Sequence, residues 1–568
     1  MMNELKITPT VNSIPIRHGD FSTTTEALAY AAQGEAGFNF FNIQGKLTSV
    51  LTYRELNERS LKTASYLKAQ GFERYDRLAL IAETTPEFLV AFFACQYAGL
   101  IPCPVAFSYS PGSMHSYIEK LNLMLDRAEA KAIICSKNVA NILRLALSRA
   151  LLVNENLKRE VTSINVHKGA DDLSPLNAHE PAYIQFSSGS TTQPKGVLIR
   201  QSHLKANIHA VLYYGMQLRP EDRSFNWLPF HHNMGLVGFL LASVYGQRSV
   251  DCLSAEQFIQ NPVIWLELMS KHKTNITFAP SFGYQLAAKK YTEMDNKPHL
   301  ELSALRIAGI GGDVISAEVL KTFSSAFGTS NFKEQAFLPC YGLTETTLAV
   351  TVSDLDSDLI TDSPEENNDK TLISCGRVLP GLAIKIVDVN DKRLLPERQV
   401  GQIWIKGPSV ISSYIDESEK IPFDNDGFMY SGDLGYLSDG YLYISGREKD
   451  VIVIRGRNIW AQDIEWIIAK SFTNIGSNNV VAIGLNRENE EKLAIMVSIT
   501  QLMGEDKKNL YRQALAIKKT VARETGIDSD IIYITNQIPL TNSGKVARNL
   551  TKSEYLSGRL TVIDYNPE

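Results

Sequence analysis

The chain has 568 residues, 44% hydrophobic and 21% charged, with a net charge of −5. That length exceeds a single compact core and implies two or more domains. The slightly acidic balance excludes a nucleic-acid footprint. No apolar run reaches the roughly 18 residues that span a bilayer, and Met1 to Asp20 lacks an apolar core of signal-peptide length. Six cysteines, with no CxxC pair, read as reduced thiols of a cytoplasmic protein rather than a metal site or disulfide frame.

In chain order, the first clear strand is Arg77 to Glu83. A helix over Thr85 to Gly99 follows, with Pro86 near its first position and Gly99 as its stop. Ala182 to Phe186 and Val197 to Ile199 read as strands flanking a polar loop. Thr274 to Pro280 and Leu305 to Ile310 read as strands ending in loops, and Ser316 to Phe327 as a capped helix. Short strands alternating with helices predict an α/β architecture with parallel strands, whose ligands lie beyond the strands' carboxyl ends. After about residue 380 the pattern turns antiparallel, as in Ile384 to Asp388, Gly401 to Lys406 and Tyr441 to Ser445. Strands and helices interleave beyond residue 450, which predicts a small α+β domain. Its boundary is placed at Gly446 to Asp450. Residues 354–370 carry seven acids against one lysine, the composition of a mobile, solvated loop.

The loop Ser187-Ser188-Gly189-Ser190-Thr191-Thr192-Gln193-Pro194-Lys195-Gly196 holds the most chemistry. Glycine lets backbone amides approach an anion, the hydroxyls add donors, and Lys195 adds a point charge. This is a phosphate cradle, but not a Walker A loop, because Lys195 precedes a glycine and a strand rather than Ser or Thr opening a helix. An ordinary Ser/Gly turn is the plain alternative. Cys340-Tyr341-Gly342-Leu343-Thr344-Glu345 offers a ring, a hydroxyl and a carboxylate able to hold Mg²⁺; a buried tyrosine beside an exposed glutamate explains it equally well. Tyr430-Ser431-Gly432-Asp433 places a carboxylate in a glycine-flanked segment, suited to ribose hydroxyls or simply a β-turn. Pro539 to Lys545 puts a lysine on a polar turn, either solvated or delivered as a cation to a site elsewhere.

In this order and spacing the segments resemble the adenylate-forming, acyl-activating superfamily, and most closely its fatty acyl-AMP ligases. The residues that carry the likeness are the Ser/Gly loop, the YGxTE segment at Tyr341–Glu345, Tyr430–Asp433, Gly446-Arg447-Glu448-Lys449-Asp450, and the Gly544-Lys545 pair. Trp227-Leu-Pro-Phe-His-His232-Asn-Met-Gly-Leu236 is similar to that family's WLPxYHDMGL. The resemblance implies a large N-terminal core over 1–447, with α/β sheets and a distorted β-barrel. It also implies a mobile C-terminal lid over 448–568 that turns on a hinge near Lys449. It implies ATP and Mg²⁺ as cofactors. Ser187, Ser188, Gly189, Ser190, Thr191 and Lys195 would grip the phosphates. Gly311, Gly312, Asp313, Tyr341 and Gly342 would wall the adenine. Thr344 and Glu345 would lie at phosphate and metal, and Asp433 with Arg447 at the ribose. Lys545 would bridge carboxylate and α-phosphate, and His232 would lie near the acyl carboxylate. The implied substrate is a fatty acid and the implied acceptor a separate acyl carrier protein, with coenzyme A as the alternative thiol.

The chain departs from the family pattern in three places. Asn233 stands where the pattern has aspartate. Gly312-Asp313-Val314 stands for Ala-Glu-Pro. The family's insertion, implied to restrict the small domain and disfavour coenzyme A, corresponds here to the short acidic stretch 351–373. An amino-acid-activating enzyme is disfavoured because Phe230-His-His-Asn233 lacks the aspartate that would bind an amino group. A silent nucleotide-binding protein is disfavoured because Lys545, Glu345 and Asp433 are all present. Lys508, Arg512, Lys519 and Arg523 fall on one face of a helix expected over Asp506 to Glu524, and Leu510, Ala514, Ile517 and Val521 on the other. The basic face is either a solvated surface or a dock for an acidic carrier.

Overall fold

The computed structural model describes residues 5–107, 114–144, 150–153, 173–187, 194–364, 371–416, 418, 420–454, 457–472, 474–487, 490–499, 507–540 and 546–565. The chain forms two compact units. The first holds Met1–Ser187, Lys195–Ser431 and Gly435–Ile444; the second holds Ser188–Pro194, Gly432–Leu434 and Ser445–Glu568.

The spine of the first unit is a long mixed sheet. Its parallel half runs Phe337–Tyr341, Ile307–Ile310, Ile276–Ala279, Ser224–Asn226, Val250–Cys252 and Gly37–Phe41, each hydrogen-bonded to the next. These strands are short and almost wholly buried, as a sheet covered on both faces requires. Beyond Tyr341 the sheet turns antiparallel through Thr351–Val352, Leu372–Val378, Tyr441–Arg447, Met429–Ser438, Gly401–Lys406 and Ala383–Val387. The distorted barrel implied by the family is thus an open continuation of the same sheet. No closed ring of strands occurs among the described residues.

A second, parallel sheet carries Ile101–Val105, Arg77–Ile81, Ala132–Cys135 and Ala150–Val153. Helix Pro86–Ala98 is apolar nearly all round and buried, as that composition dictates. Thr85 caps its start by accepting from the Phe88 amide, and Gly99 ends it at φ 75°. Buried Gln96 in that helix donates to the Ala182 carbonyl (2.5 Å) and accepts from Thr24 and Gln201. This buried polar node fixes the hairpin Pro181–Ser187/Lys195–Arg200, whose turn contains the phosphate-cradle candidate.

In the acidic stretch Asp354, Asp356 and Asp358 are exposed, as a solvated loop requires, yet the stretch is tied down. Among its described residues, Tyr441 donates to Asp354 (2.6 Å) and Gln335 to Asp358 (2.9 Å), while Arg398 lies 3.4 Å from Asp362. Leu355 and Leu359 pack against the main core. Asp354, Asp358 and Asp362 meet polar partners while the two leucines, four residues apart, go inward. Residues 365–370 lie outside the described residues.

In the second unit, Val480–Arg487 pairs antiparallel with Glu490–Ser498, which pairs parallel with Ser529–Ile534. Helices Ala461–Ser471 and Lys507–Thr525 supply Ile464, Ile468, Leu510, Ala514, Ile517 and Val521 to its core. The expected amphipathic helix therefore buries its predicted apolar face. Five of the six cysteines are buried and all are free thiols. Among the described residues no helix is long and apolar enough to cross a membrane.

Candidate active site

In the first unit, the candidate residues gather at the carboxyl ends of the parallel strands and at the hairpin. Ser187 faces Lys195 across the hairpin register, so both strand ends are in place. Ser188, Gly189, Ser190 and Thr191 lie outside the described residues. The Gly196 carbonyl accepts from the Ile415 amide (2.9 Å), and Val197 bridges Tyr414. A Cβ on Gly196 would lie 2.2 Å from the end of the Ile415 side chain, which would have to move aside.

Tyr341 ends its strand with its side chain mostly buried. Gly342 follows, and a Cβ there would sit 1.8 Å from the Leu348 carbonyl oxygen. Thr344–Thr346 form a single 3₁₀ turn. Thr347 then takes φ 75° and ψ −59°, the γ-turn geometry that a β-branched residue rarely adopts. Such strain persists only where the surroundings over-determine it. Here Thr347 donates to the Ser409 carbonyl (2.8 Å). Buried Asn207 donates to the carbonyls of Thr346 (3.2 Å) and Ala349 (2.8 Å), accepts from the Ala349 amide (3.1 Å) and reaches the Ser409 hydroxyl (3.1 Å). The Ile411 amide donates to the Glu345 carbonyl (2.9 Å).

The Glu345 carboxylate accepts from the Tyr414 hydroxyl at 3.1 Å. The Lys195 ammonium lies 4.7 Å from the centre of the same tyrosine ring, within cation–π range. The structure thus brings Lys195 to the ring face and Glu345 to the hydroxyl of one side chain that sequence reasoning did not single out.

Gly311 and Gly312 turn the chain after Ile310. A Cβ on Gly311 would meet the Cys340 carbonyl at 2.6 Å, and Gly312 has φ 82°. Asp313 is exposed and accepts from the Val314 amide (2.9 Å). The Met234 terminal methyl comes within 3.3 Å of where a Cβ on Gly312 would lie. That contact brings the His232–Gly235 turn to the same corner. The rings of His231 and His232 are 4.8 Å apart. Gln185 donates to the His231 carbonyl (2.6 Å). Burial, reinforced by His232 and Lys120, pushes the His231 pKa well below its usual value, so this imidazole is neutral. The following segment Leu236–Leu241 is π-helical, a local unwinding that favours functional positions. Tyr284, on the helix after the strand Ile276–Ala279, is core: it is fully buried, donates to the Gly309 carbonyl (2.9 Å) and packs on Phe323 and Phe337.

In the second unit, Asp433 is buried and lies within strand Met429–Ser438 rather than in the turn its glycines suggested. Gly432 carries the left-handed backbone (φ 81°) inside the strand. Arg447 Nε lies 3.2 Å from the Asp433 carboxylate. Lys449 is exposed in the 3₁₀ turn Glu448–Asp450. Arg548 Nη1 donates to Asp450 (2.9 Å) and its Nε to Glu465 (2.9 Å), while Nη2 pairs with the second Glu465 oxygen. Glu465 also accepts from the Ala482 amide (3.0 Å). Lys545 lies outside the described residues; the bridge Leu540–Val546 and the Ala547 amide to the Pro539 carbonyl (2.8 Å) close the chain on either side of it.

The donor set fits Mg²⁺ chemistry. The Glu345 carboxylate is the kind of hard oxygen donor that Mg²⁺ takes when nucleotide phosphates and water complete its shell, with the Lys195 ammonium left for the phosphates. Among the described residues no cluster of three or more His, Cys, Asp or Glu competes as a metal cage.

Comparison with known proteins agrees with this geometry. The AMP-binding enzyme family matches residues 32–415. A Caulobacter vibrioides protein provisionally named acyl-CoA synthetase is 35% identical over 98% of this chain and 99% of its own. The medium-chain-fatty-acid–[acyl-carrier-protein] ligase JamA of Moorena producens is 28% identical over 95% of this chain and 96% of its own. A structure from work on fatty acyl-adenylate ligases of E. coli and L. pneumophila superposes with a TM-score of 0.86 at 37% identity, covering 96% of this chain and all of that one. The chain belongs to the AMP-binding enzyme family and is an adenylate-forming ligase.

Proposed function

We propose that this ligase activates a fatty acid with ATP and passes the acyl group to the phosphopantetheine thiol of a separate acyl carrier protein. The carboxylate oxygen attacks the α-phosphorus, an O–P bond forms, and the bond to the pyrophosphate oxygen breaks. The thiol sulfur then attacks the acyl carbon and AMP leaves. Both reactants in the first step are anionic, so catalysis rests on neutralising charge that builds in the pentavalent state. Lys195 at the hairpin and Lys545 on the C-terminal loop would supply fixed positive charge. Thr344 and Glu345 would serve the phosphates and Mg²⁺, and Mg²⁺ would contribute Lewis-acid polarisation of the phosphoryl oxygens when bound. Tyr341 with Gly311, Gly312, Asp313 and Gly342 would hold the adenine, and Asp433 with Arg447 the ribose. His232 would orient the acyl carboxylate. The domain division at 447/448, with its hinge near Lys449, would carry Lys545 to and from the reaction.

The observation that carries the adenylation reading is the convergence of Lys195 and Glu345 on Tyr414. For the acceptor, the anchored stretch 354–364 supports the carrier over coenzyme A, because packing on the large unit is what the family's insertion requires. The name of the Caulobacter relative favours coenzyme A instead. The test offers labelled ATP, fatty acids of several lengths, and either coenzyme A or a holo-carrier protein. Acyl-adenylate with transfer only to the carrier supports the reading; efficient thioester formation with coenzyme A selects the alternative. Lys508, Arg512 and Lys519 are exposed on helix Lys507–Thr525. Reversing Arg512 and Lys519 to glutamate is expected to slow transfer to an acidic carrier about tenfold, through association, and to spare adenylation.

A further inference from the structure

We propose that Tyr414 is a positioning residue: its hydroxyl aims the Glu345 carboxylate at the metal of a bound Mg·nucleotide, and its ring seats the Lys195 ammonium. The inference rests on the nucleotide-site reading above and adds a residue that no motif marks.

Three observations converge on it. The hydroxyl donates to Glu345 Oε1 at 3.1 Å. The ring lies 4.7 Å below the Lys195 nitrogen. The backbone around Tyr414 is stitched to both partners' elements, by Ile411 to Glu345, Ile415 to Gly196, and the bridge to Val197. A glutamate side chain has three rotatable torsions, and a metal ligand must be held to within a fraction of an ångström. The backbone of Glu345 is already fixed by the strained Thr347 turn and the Asn207 network. The Tyr414 hydroxyl orients the Glu345 carboxylate without cancelling its charge; a guanidinium would compete with the metal. The same ring offers its π-face to Lys195. Tyr414 thus acts as a spacer between a cation and an anion that both face phosphate.

The test measures nucleotide binding rather than turnover. A non-hydrolysable ATP analogue is titrated into the full-length protein by calorimetry, with Mg²⁺ and with chelator. In the wild type, Mg²⁺ is expected to tighten binding. Tyr414→Phe keeps the ring and loses the hydroxyl, so the Mg²⁺-dependent gain should shrink about tenfold, the usual worth of a hydrogen bond to a charged group. Binding in chelator and the melting temperature should be unchanged. Tyr414→Leu also removes the ring, and binding in chelator should fall a few-fold as Lys195 loses its seat. If Tyr414→Phe keeps the full Mg²⁺ gain, Tyr414 does not position Glu345 and the inference fails. Equal loss with and without Mg²⁺, or a lowered melting temperature accounting for it, assigns Tyr414 to packing and also overturns it. A wild type that binds no nucleotide, or binds it without any Mg²⁺ effect, sinks the nucleotide-site reading first and this inference with it. Tyr414→Phe decides the matter alone should Tyr414→Leu fail to fold.

Discussion

Two carboxylate sites in this molecule are held by opposite means. In the first unit, Glu345 sits on a turn fixed by neutral groups: the Asn207 amide, the Thr347 and Ser409 oxygens, and the Tyr414 hydroxyl. In the second, Asp450 and Glu465 are clamped by the Arg548 guanidinium. A neutral network fixes geometry and leaves a carboxylate's charge available to a ligand. A guanidinium clamp consumes the charge and gives a rigid joint. The first suits a site that must receive a cation. The second suits a brace, and it ties the Glu448–Asp450 turn to the helix Arg548–Leu556, which begins just past Lys545.

The largest expected effect tests whether the braced unit serves the chemistry. Lys545→Ala should lower adenylate formation about 10²–10³-fold, the worth of one transition-state contact, while leaving ATP affinity largely intact. Pyrophosphate release and equilibrium nucleotide binding measure the two separately, and a near-wild-type rate would remove Lys545 from its role. Next comes the clamp. Arg548→Met strands two carboxylates and should cost about 3–5 kcal/mol in urea unfolding of the second unit. Adding Glu465→Leu should recover part of that loss; failure to recover any would mean that Arg548 acts mainly through packing. In the first unit, Asn207→Ala leaves several backbone groups without partners and should cost about 1–3 kcal/mol, with weaker Mg·nucleotide binding as the Glu345 turn relaxes. Intact nucleotide binding would show that the turn holds itself.

The smallest effect comes from an ionic clamp in the first unit, at the base of the hairpin that carries Ser187 and Lys195. Arg74 bonds Glu180 at 2.5 Å, with further donors from Tyr75 and the Asn177 amide, and these hold the Glu180 pKa down to about 2. A depressed carboxylate adds stability above its unfolded pKa, near 4.5, and loses it as pH falls toward 2. Glu180→Gln should therefore cost about 1 kcal/mol at pH 7, and the cost should fade as pH drops through about 2. A pH-independent difference in thermal or urea melts would contradict the clamp.

The sequence was most legible where a segment carries its own signal. Helix Pro86–Ala98 has its cap, its proline and its terminal glycine within 15 residues, and the structure ends it at the glycine as expected. Strand Gly401–Lys406 and the apolar face of Lys507–Thr525 follow from periodicity in the same way. Partners remote in sequence were not legible. Tyr414 meets a glutamate 69 residues earlier, and Arg548 meets carboxylates 83 and 98 residues earlier; no local pattern encodes either meeting. Asp433 was misplaced because glycine-flanked aspartate reads as a turn, whereas the sheet absorbs Gly432's left-handed backbone within a strand. In the acidic stretch the charge count foretold the exposed acids, but the packing followed from the spacing of Leu355 and Leu359, which was not read. Those two leucines were the available signal.

The glycines at 311 and 342 have a consequence for reading distant relatives. Each lies where the chain passes another backbone segment too closely for any side chain, against the carbonyls of Cys340 and Leu348. They are demanded by the crossing of two chain segments, whatever occupies the crevice beside them. A descendant that had lost all affinity for nucleotide would still be obliged to keep both. Finding them in a new sequence therefore certifies the scaffold, and the evidence for chemistry has to come from side chains that the scaffold could do without.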